Sequence, residues 1–215
     1  MGMSPSLRKL VLTAHVLSSV GWVGALAVFL AHSVVGIVSQ DIQLVRTACI
    51  AMALTAWFVI LPFSLASLAT GLVQALGTAW GLFQHYWVLV KLLLTSVATA
   101  VLLLKLGPIQ RLASAAADLS FTTNEMQDLK ASLVVHAGAG LLLLVVTTVL
   151  AIYKPAGLTP RGVAVQRKRN ADMGAPFAVG TPRWVRRSSV LVLTMVLLVI
   201  VALLHGGHGP SAHLH

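Results

Sequence analysis

The feature that most limits how this chain can fold is its first apolar stretch, residues 10–38. No Asp, Glu, Lys or Arg interrupts it. About 20 helical residues are needed to cross the hydrocarbon core of a bilayer, so this stretch is long enough to span a membrane. It nevertheless carries two histidines, His15 and His32. Ionisable side chains are costly at membrane depth, and those found there usually mark a functional site.

The composition extends this conclusion to the whole chain. Hydrophobic residues make up 58% of the sequence and charged residues only 9%, whereas a soluble domain has about 25% charged residues. The sequence therefore predicts an integral membrane protein in contact with the lipid bilayer. The basic residues behind the net charge of +10 lie between the apolar stretches. In those positions they indicate the orientation of the protein in the membrane and contact with anionic lipid, rather than binding of nucleic acid. The single cysteine, Cys49, excludes a disulfide within the chain and a Cys-rich metal site.

Apolar stretches of sufficient length predict an all-α, polytopic membrane helix bundle with five transmembrane helices. A four-helix core occupies residues 7–155, and its predicted spans are residues 10–38, 49–74, 85–106 and 131–153. Pro62 predicts a kink in the second span, and Pro108 predicts the end of the third. A short surface helix is expected over residues 111–119. Residues 156–187 are expected to form a basic, mobile cytoplasmic loop, followed by the fifth span at 188–204 and a His-rich tail at 205–215.

The loop charges predict the topology. Arg8 and Lys9 precede the first span, and the second basic segment, residues 154–187, follows the fourth. Four spans separate the two segments, so both lie on the same side, and the positive-inside rule places that side in the cytoplasm. The amino terminus is then cytoplasmic and the carboxyl terminus extracytoplasmic.

The ionisable residues of the spans fall at two depths. His15 and Lys91 each lie about five residues inside the cytoplasmic ends of their helices, near the interfacial His85, so we expect them to face each other. His32 and His136 lie near the outer ends of theirs. All four are candidate cofactor-binding residues. Alternatively, His32 and His136 hydrogen-bond neighbouring helices, and Lys91 reaches the interface with its long side chain.

A b-type haem is the first candidate cofactor. Its iron takes axial histidines, and nearby glycines let the flat ring approach the helices. The sequence offers such glycines on the first and fourth spans: Gly21, Gly24, Gly138 and Gly140.

The tail is a candidate metal site. His205, His208, His213 and His215 lie in a segment rich in glycine. Imidazole suits Cu(II), Ni(II) and Zn(II), so we expect weak binding of a divalent metal that is lost as the histidines protonate. Alternatively, the tail merely tolerates histidine.

Short motifs in residues 7–155 resemble a known membrane-protein superfamily. The first-helix pattern of His15, Trp22 and Gly24 resembles that of the bacterial copper-resistance D membrane domain, and it is similar to the haem-dependent protoporphyrinogen oxidase found as a small bacterial membrane protein. Residues 70–72, 77–81 and 88–92 resemble the next two helices of the copper-resistance domain, with Lys91 at a position where those families have a lysine. His136 departs from the pattern, because many copper-resistance members have an acid there.

The resemblance implies a helix bundle in the bacterial plasma membrane with His15 and Lys91 at its functional centre, and it extends to small bacterial membrane proteins of unknown function. Three functions are compatible with it. The protein binds a b-type haem and takes part in redox chemistry, or it handles copper or another divalent metal, or it is a cofactor-free structural or regulatory subunit that binds another membrane protein or a second copy of itself. Whether it is an enzyme stays open. Soft Cu(I) favours Met and Cys ligands, and few occur in the spans.

Overall fold

The computed structural model describes residues 3–77, 83–153 and 157–172, and these residues form helices and connecting turns without a strand. The helices are α1 (Pro5–Val38), α2 (Ile42–Thr55), a π-helical turn (Ala56–Ile60), α3 (Leu61–Gly77), α4 (Tyr86–Ala117), α5 (Gln127–Tyr153) and α6 (Pro160–Asp172). An isolated β-bridge joins His85 to Leu158.

Four helical segments in the described part of the chain are long and apolar enough to cross a membrane: α1, the continuous segment Ile42–Gly77, α4 and α5. They correspond to the first four predicted spans, and the protein is a multi-pass integral membrane protein. The predicted fifth span, residues 188–204, lies outside the described residues.

The four spans form an antiparallel bundle. Both α1 and α4 pack against Ile42–Gly77 and against α5, whereas α1 and α4 do not approach each other closely. These two helices therefore occupy opposite corners of the bundle. We call the end where α1 begins and α5 ends the near end, and the other the far end. The near end is the one predicted to be cytoplasmic.

Apolar side chains lie both inside and outside the bundle. The interior contains Trp22, Phe29 and Leu133, whereas Phe58 and Leu104 are 75% and 76% exposed on its outer surface. Helices whose outer faces are as apolar as their inner faces suit a lipid environment, where hydrocarbon replaces water around the protein. The outer surface of the bundle is thus built to contact lipid.

The disturbance expected at Pro62 takes the form of the π-helical turn Ala56–Ile60, which lies just before it. Proline has no N–H to donate to the carbonyl four residues earlier, that of Phe58, and π-helical turns are one way a helix absorbs such a break. The helix continues through this turn into α3.

The prediction that Pro108 ends the third span is wrong. Helix α4 continues through Pro108 to Ala117 and includes most of the segment expected to be a separate surface helix. One proline costs one backbone hydrogen bond, but the residues after it are well packed: Leu112 and Ala116 are fully buried. Arg46 of α2 then caps the helix, because its Nε donates to the Ala116 carbonyl at 2.7 Å.

The segment predicted to be a basic, mobile loop after the fourth span contains a helix, because residues 160–172 form α6. Thr159 begins this helix, since its hydroxyl accepts a hydrogen bond from the N–H of Gly162 at 3.1 Å. Such an N-cap satisfies one of the free donors of the first turn. The remainder of the predicted loop, from residue 173 on, lies outside the described residues.

Helix α6 is fastened to the link that precedes α4. The N–H of Thr159 donates to the Gln84 carbonyl at 3.0 Å, and the N–H of Tyr86 donates to the Gly157 carbonyl at 3.2 Å. The Thr159 hydroxyl also donates to the Phe83 carbonyl. We call this contact between residues 83–86 and 157–162 the α6 junction. It joins the chain segments at the near ends of α4 and α5.

Candidate functional site

His15 and Lys91 meet inside the near half of the bundle. The Lys91 Nζ lies 3.3 Å from the His15 Nε2, and the His15 side chain is only 9% exposed. Because the two residues belong to opposite corner helices, their contact crosses the centre of the bundle. The expectation that they face each other is confirmed, and their role as cofactor ligands stays a prediction.

Helix α3 fixes the orientation of the His15 ring. The His15 Nδ1 lies 3.0 Å from the Ser67 carbonyl oxygen and 3.1 Å from the Thr70 hydroxyl. A carbonyl can only accept, so the Nδ1 carries the hydrogen and donates it, and the Nε2 presents its lone pair to Lys91. We call His15, Ser67, Thr70 and Lys91 the inner polar site.

Small and polar residues let α1 and α3 approach closely around this site. A Cβ atom built on Gly71 would lie 3.1 Å from the His15 Cε1, so the glycine provides the space that the ring occupies. The hydroxyls of Ser19 and Ser67 lie 2.8 Å apart. Close packing through small residues and hydrogen-bonding hydroxyls is typical of helix contacts in membranes.

No carboxylate accompanies the inner polar site. The chain has five acidic residues, Asp41, Asp118, Glu125, Asp128 and Asp172. The first four lie at or beyond the far ends of the spans, and the last lies at the end of α6. The site therefore combines an imidazole and an amine without an acid to balance the charge of a protonated lysine.

The acid at the far end of α4 is held by its own turn. The backbone N–H and the hydroxyl of Ser120 both donate to Asp118 at 2.9 Å. These hydrogen bonds, with the nearby Arg46, lower the pKa of Asp118. The Asp118 carboxylate thus stabilises the turn that follows α4.

A second polar cluster lies in the far half of the bundle, and sequence reasoning did not single out its lysine. The Lys105 Nζ donates to the Ser132 hydroxyl at 3.3 Å, and that hydroxyl lies 3.3 Å from the His136 Nδ1. The His136 Nδ1 also lies 2.6 Å from the Ser132 carbonyl oxygen, one turn back on its own helix. The sequence does contain a signal for this lysine, because Lys105 is a charged residue that interrupts an apolar run of the third predicted span.

Lys105 and His136 border a cavity of about 60 Å³ between α1, α4 and α5, to which Ile60 of the π-helical turn also contributes. Apart from Lys105 and His136, its lining is apolar. The apolar lining includes Trp22, Leu26, Phe29, Leu102, Leu133 and Leu144.

The structure does not link His32 to this cluster by a hydrogen bond. Its Nδ1 is buried without a hydrogen-bond partner among the described residues. Of the glycines expected to make room for a haem, Gly21 is packed against the Phe63 ring, 2.8 Å from the position of an added Cβ, and Gly140 faces Leu26 at 3.2 Å. Gly24 and Gly138 have no atom within 4 Å of that position.

Lys130 is a further buried lysine, and it was not among the predicted site residues. It is 1% exposed, its Nζ donates to the Thr123 carbonyl at 2.6 Å, and it lies 5.4 Å from the centre of the Phe121 ring. A carbonyl and an aromatic face are both suitable partners for a buried ammonium. Lys130 thus holds the turn between α4 and α5.

No three His, Cys, Asp or Glu side chains come together to hold a metal ion in the parts of the chain that the structure describes. The candidate metal ligands of the tail, His205, His208, His213 and His215, lie outside those parts. No protein-family model, curated protein or solved structure matches the chain.

Proposed function

We propose that this membrane protein binds a b-type haem in the near half of the bundle, with His15 as the axial ligand. The observation that carries the proposal is the orientation of His15. Histidines that bind metals almost always donate their other ring N–H to a carbonyl, a carboxylate or water. His15 makes this hydrogen bond to the Ser67 carbonyl and directs its Nε2 towards the centre of the bundle.

Lys91 is the proposed partner of a haem propionate. In the present geometry its Nζ contacts the His15 Nε2, so the lysine has to release that nitrogen when iron binds. Its long, flexible side chain permits the movement. A propionate would supply the carboxylate that the inner polar site lacks.

The donor set suits haem better than a bare copper ion. A porphyrin brings four nitrogen ligands of its own, so a haem needs only one or two from the protein. A bare ion takes most of its ligands from side chains, and the inner polar site offers one imidazole and one amine. When bound, the haem iron would supply one-electron transfer. In the proposed topology this site lies in the cytoplasmic half of a bacterial plasma membrane.

The visible absorption spectrum tests the proposal. The protein is produced in cells supplied with haem precursor and purified in mild detergent, and oxidised and reduced spectra are recorded. We expect a Soret band that shifts on reduction, at about one haem per chain. His15→Ala should remove the band, and Lys91→Met should weaken haem retention, because the propionate loses its cation.

Lys105→Met is the matched control, since it neutralises another lysine of α4 in the far half of the bundle. It should keep the full haem content. Purified wild-type protein without a Soret band contradicts the proposal and favours a cofactor-free subunit. A band of full intensity in His15→Ala would overturn the assignment of the ligand.

A further inference from the structure

Helix α6 begins at the near boundary of the membrane. Its start is fastened to the link before α4, where the Thr159 N–H donates to the Gln84 carbonyl at 3.0 Å. Three aromatic side chains at the near ends of α4 and α5 are each more than half exposed: Phe83, Tyr86 and Tyr153. Tyrosine is enriched at membrane–water interfaces. These side chains therefore place the α6 junction at the level of the lipid headgroups.

The surface of α6 has two sides. Gly162 is buried and Val163 is half-buried on the side that faces the junction. Arg161, Val165 and Lys168 are exposed, and at 100° per residue they lie within about 60° of one another on the other side. We call these three residues the outer face of α6. No other helix in the described part of the chain packs against α6, so the outer face is open to a partner.

The outer face carries positive charge that the helix does not balance. The basic residues of α6 are Arg161, Arg167, Lys168 and Arg169, and its only acid is Asp172 at the last position. Within the described residues, neither Arg161 nor Lys168 forms an ion pair with a carboxylate. The Arg161 guanidinium instead lies 6.0 Å from the centre of the Phe83 ring, a cation–π contact at the junction. The outer face thus presents cations at headgroup level without a protein anion.

We propose that the outer face of α6 binds the headgroups of anionic phospholipids in the near leaflet, with lipid phosphates on Arg161 and Lys168 and the exposed Val165 towards the acyl chains. A basic helix with an apolar residue among its cations suits a membrane surface. The near leaflet is the one predicted to be cytoplasmic, and anionic lipids give that leaflet a negative surface potential.

This proposal is narrower than the expectation from sequence charge. The sequence indicates anionic lipid for all the basic segments alike, whereas the proposal assigns the contact to one face of one helix. The outer face is separate from the inner polar site, and its binding of lipid does not depend on haem.

Site-directed spin labelling tests the proposal. The full-length protein carries Cys49→Ala, which removes its only cysteine, and Ala164→Cys, which places the label at an exposed position beside the outer face. The protein is reconstituted in nanodiscs of phosphatidylcholine with increasing fractions of phosphatidylglycerol, and relaxation of the label by an uncharged, water-soluble nickel chelate is measured. We expect protection that rises to saturation with the phosphatidylglycerol fraction and falls at high salt, which screens exposed charges.

Charge substitutions locate the binding groups. Lys168→Gln should weaken the apparent affinity for phosphatidylglycerol about fivefold, because one basic residue near an anionic surface contributes about 1 kcal/mol. Lys168→Arg should behave like the wild type. The double variant Arg161→Gln with Lys168→Gln should lose the protection. Arg111→Gln is the matched control, since it removes an exposed cation at the far end of α4.

Protection that does not depend on the phosphatidylglycerol fraction, or that is unchanged in the double variant, would overturn the proposal. Protection by an oligoglutamate peptide or an oligonucleotide in neutral nanodiscs, without an effect of phosphatidylglycerol, would identify an acidic macromolecule as the partner and would also overturn it. The mobility of the label in detergent shows whether α6 stays docked in the double variant. If Arg161→Gln undocks it, Lys168→Gln alone decides, because Lys168 lies beyond the α6 junction.

Discussion

At the scale of single residues, Gly71 decides how closely α3 can approach the His15 ring. Both ring nitrogens of His15 are already in contact with polar atoms, so the ring has little freedom to move away from a larger side chain. An added Cβ would lie 3.1 Å from the Cε1, which is tighter than ordinary van der Waals contact. A branched side chain at this position has to displace either the ring or the helix.

We therefore expect Gly71→Leu to destabilise the bundle by about 1–3 kcal/mol, as overpacking of a close contact does. Gly24→Leu is the matched control on α1, because nothing lies within 4 Å of its added Cβ. That change should be close to neutral or slightly stabilising, since leucine favours helix more than glycine does. Thermal unfolding in the same detergent compares the two variants, and equal losses of stability would contradict the packing argument.

The sequence predicts part of the residue-scale arrangement. Matching depths on two helices were sufficient to pair His15 with Lys91, because helical rise converts position into depth. They were not sufficient to identify the partner of the His15 Nδ1. Which residue of α3 faces His15 depends on the rotation of α3 about its axis, and the depth of a residue does not give that rotation. Lys105 gave a signal in the sequence, but its cavity depends on how three helices pack.

At the scale of helices, Gly162 allows α6 to dock at the near end. A Cβ added to Gly162 would lie 2.2 Å from the Gln84 carbonyl oxygen. That oxygen belongs to the backbone and accepts the hydrogen bond from Thr159, so it cannot move without disturbing the α6 junction. Gly162 thus permits a close approach of two backbones.

We expect Gly162→Ala to release α6 from the link before α4 and to increase the rate of trypsin cleavage within α6 severalfold. Arg161, Arg167, Lys168 and Arg169 provide the cleavage sites. Gly157→Ala is the control at the same junction, because its added Cβ would meet the Tyr86 ring at an ordinary 3.8 Å. Equal protection of α6 in wild type and Gly162→Ala would argue against the docking role.

The helices also show where sequence patterns fail. Proline and glycine alone predict neither the end of α4 nor the helix at residues 160–172. Buried side chains maintain α4 beyond Pro108, and the Thr159 cap begins α6 between segments rich in glycine and proline. Local breakers predict a boundary only where packing and capping do not compensate for them.

At the scale of the whole molecule, the topology depends on residues 188–204. If they cross the membrane, the two sides of that segment lie in different compartments. We expect an alkaline-phosphatase fusion after Asp172 to be inactive and a fusion after His215 to be active, since this reporter requires export. A green fluorescent protein fusion should give the reverse pattern.

Equal phosphatase activity at both positions would reduce the number of spans to four. Activity after Asp172 would reverse the predicted orientation. The prediction is independent of any cofactor, because it rests on loop charge and apolar length alone.

The π-helical turn Ala56–Ile60 has a consequence for how this molecule tolerates changes in chain length. Such a turn contains one residue more than an α-helical turn, and it precedes the segment that presents Ser67, Thr70 and Gly71 to His15. The wide turn absorbs this extra residue, so deleting one residue there restores regular α-helix and leaves the three residues on the His15 side of α3. A second deletion has no wide turn left to absorb it and rotates everything after it by about 100°. The turn therefore acts as a reserve of one residue: the inner polar site withstands the first loss of chain length in this helix, and the second alters its chemistry without changing any of its side chains.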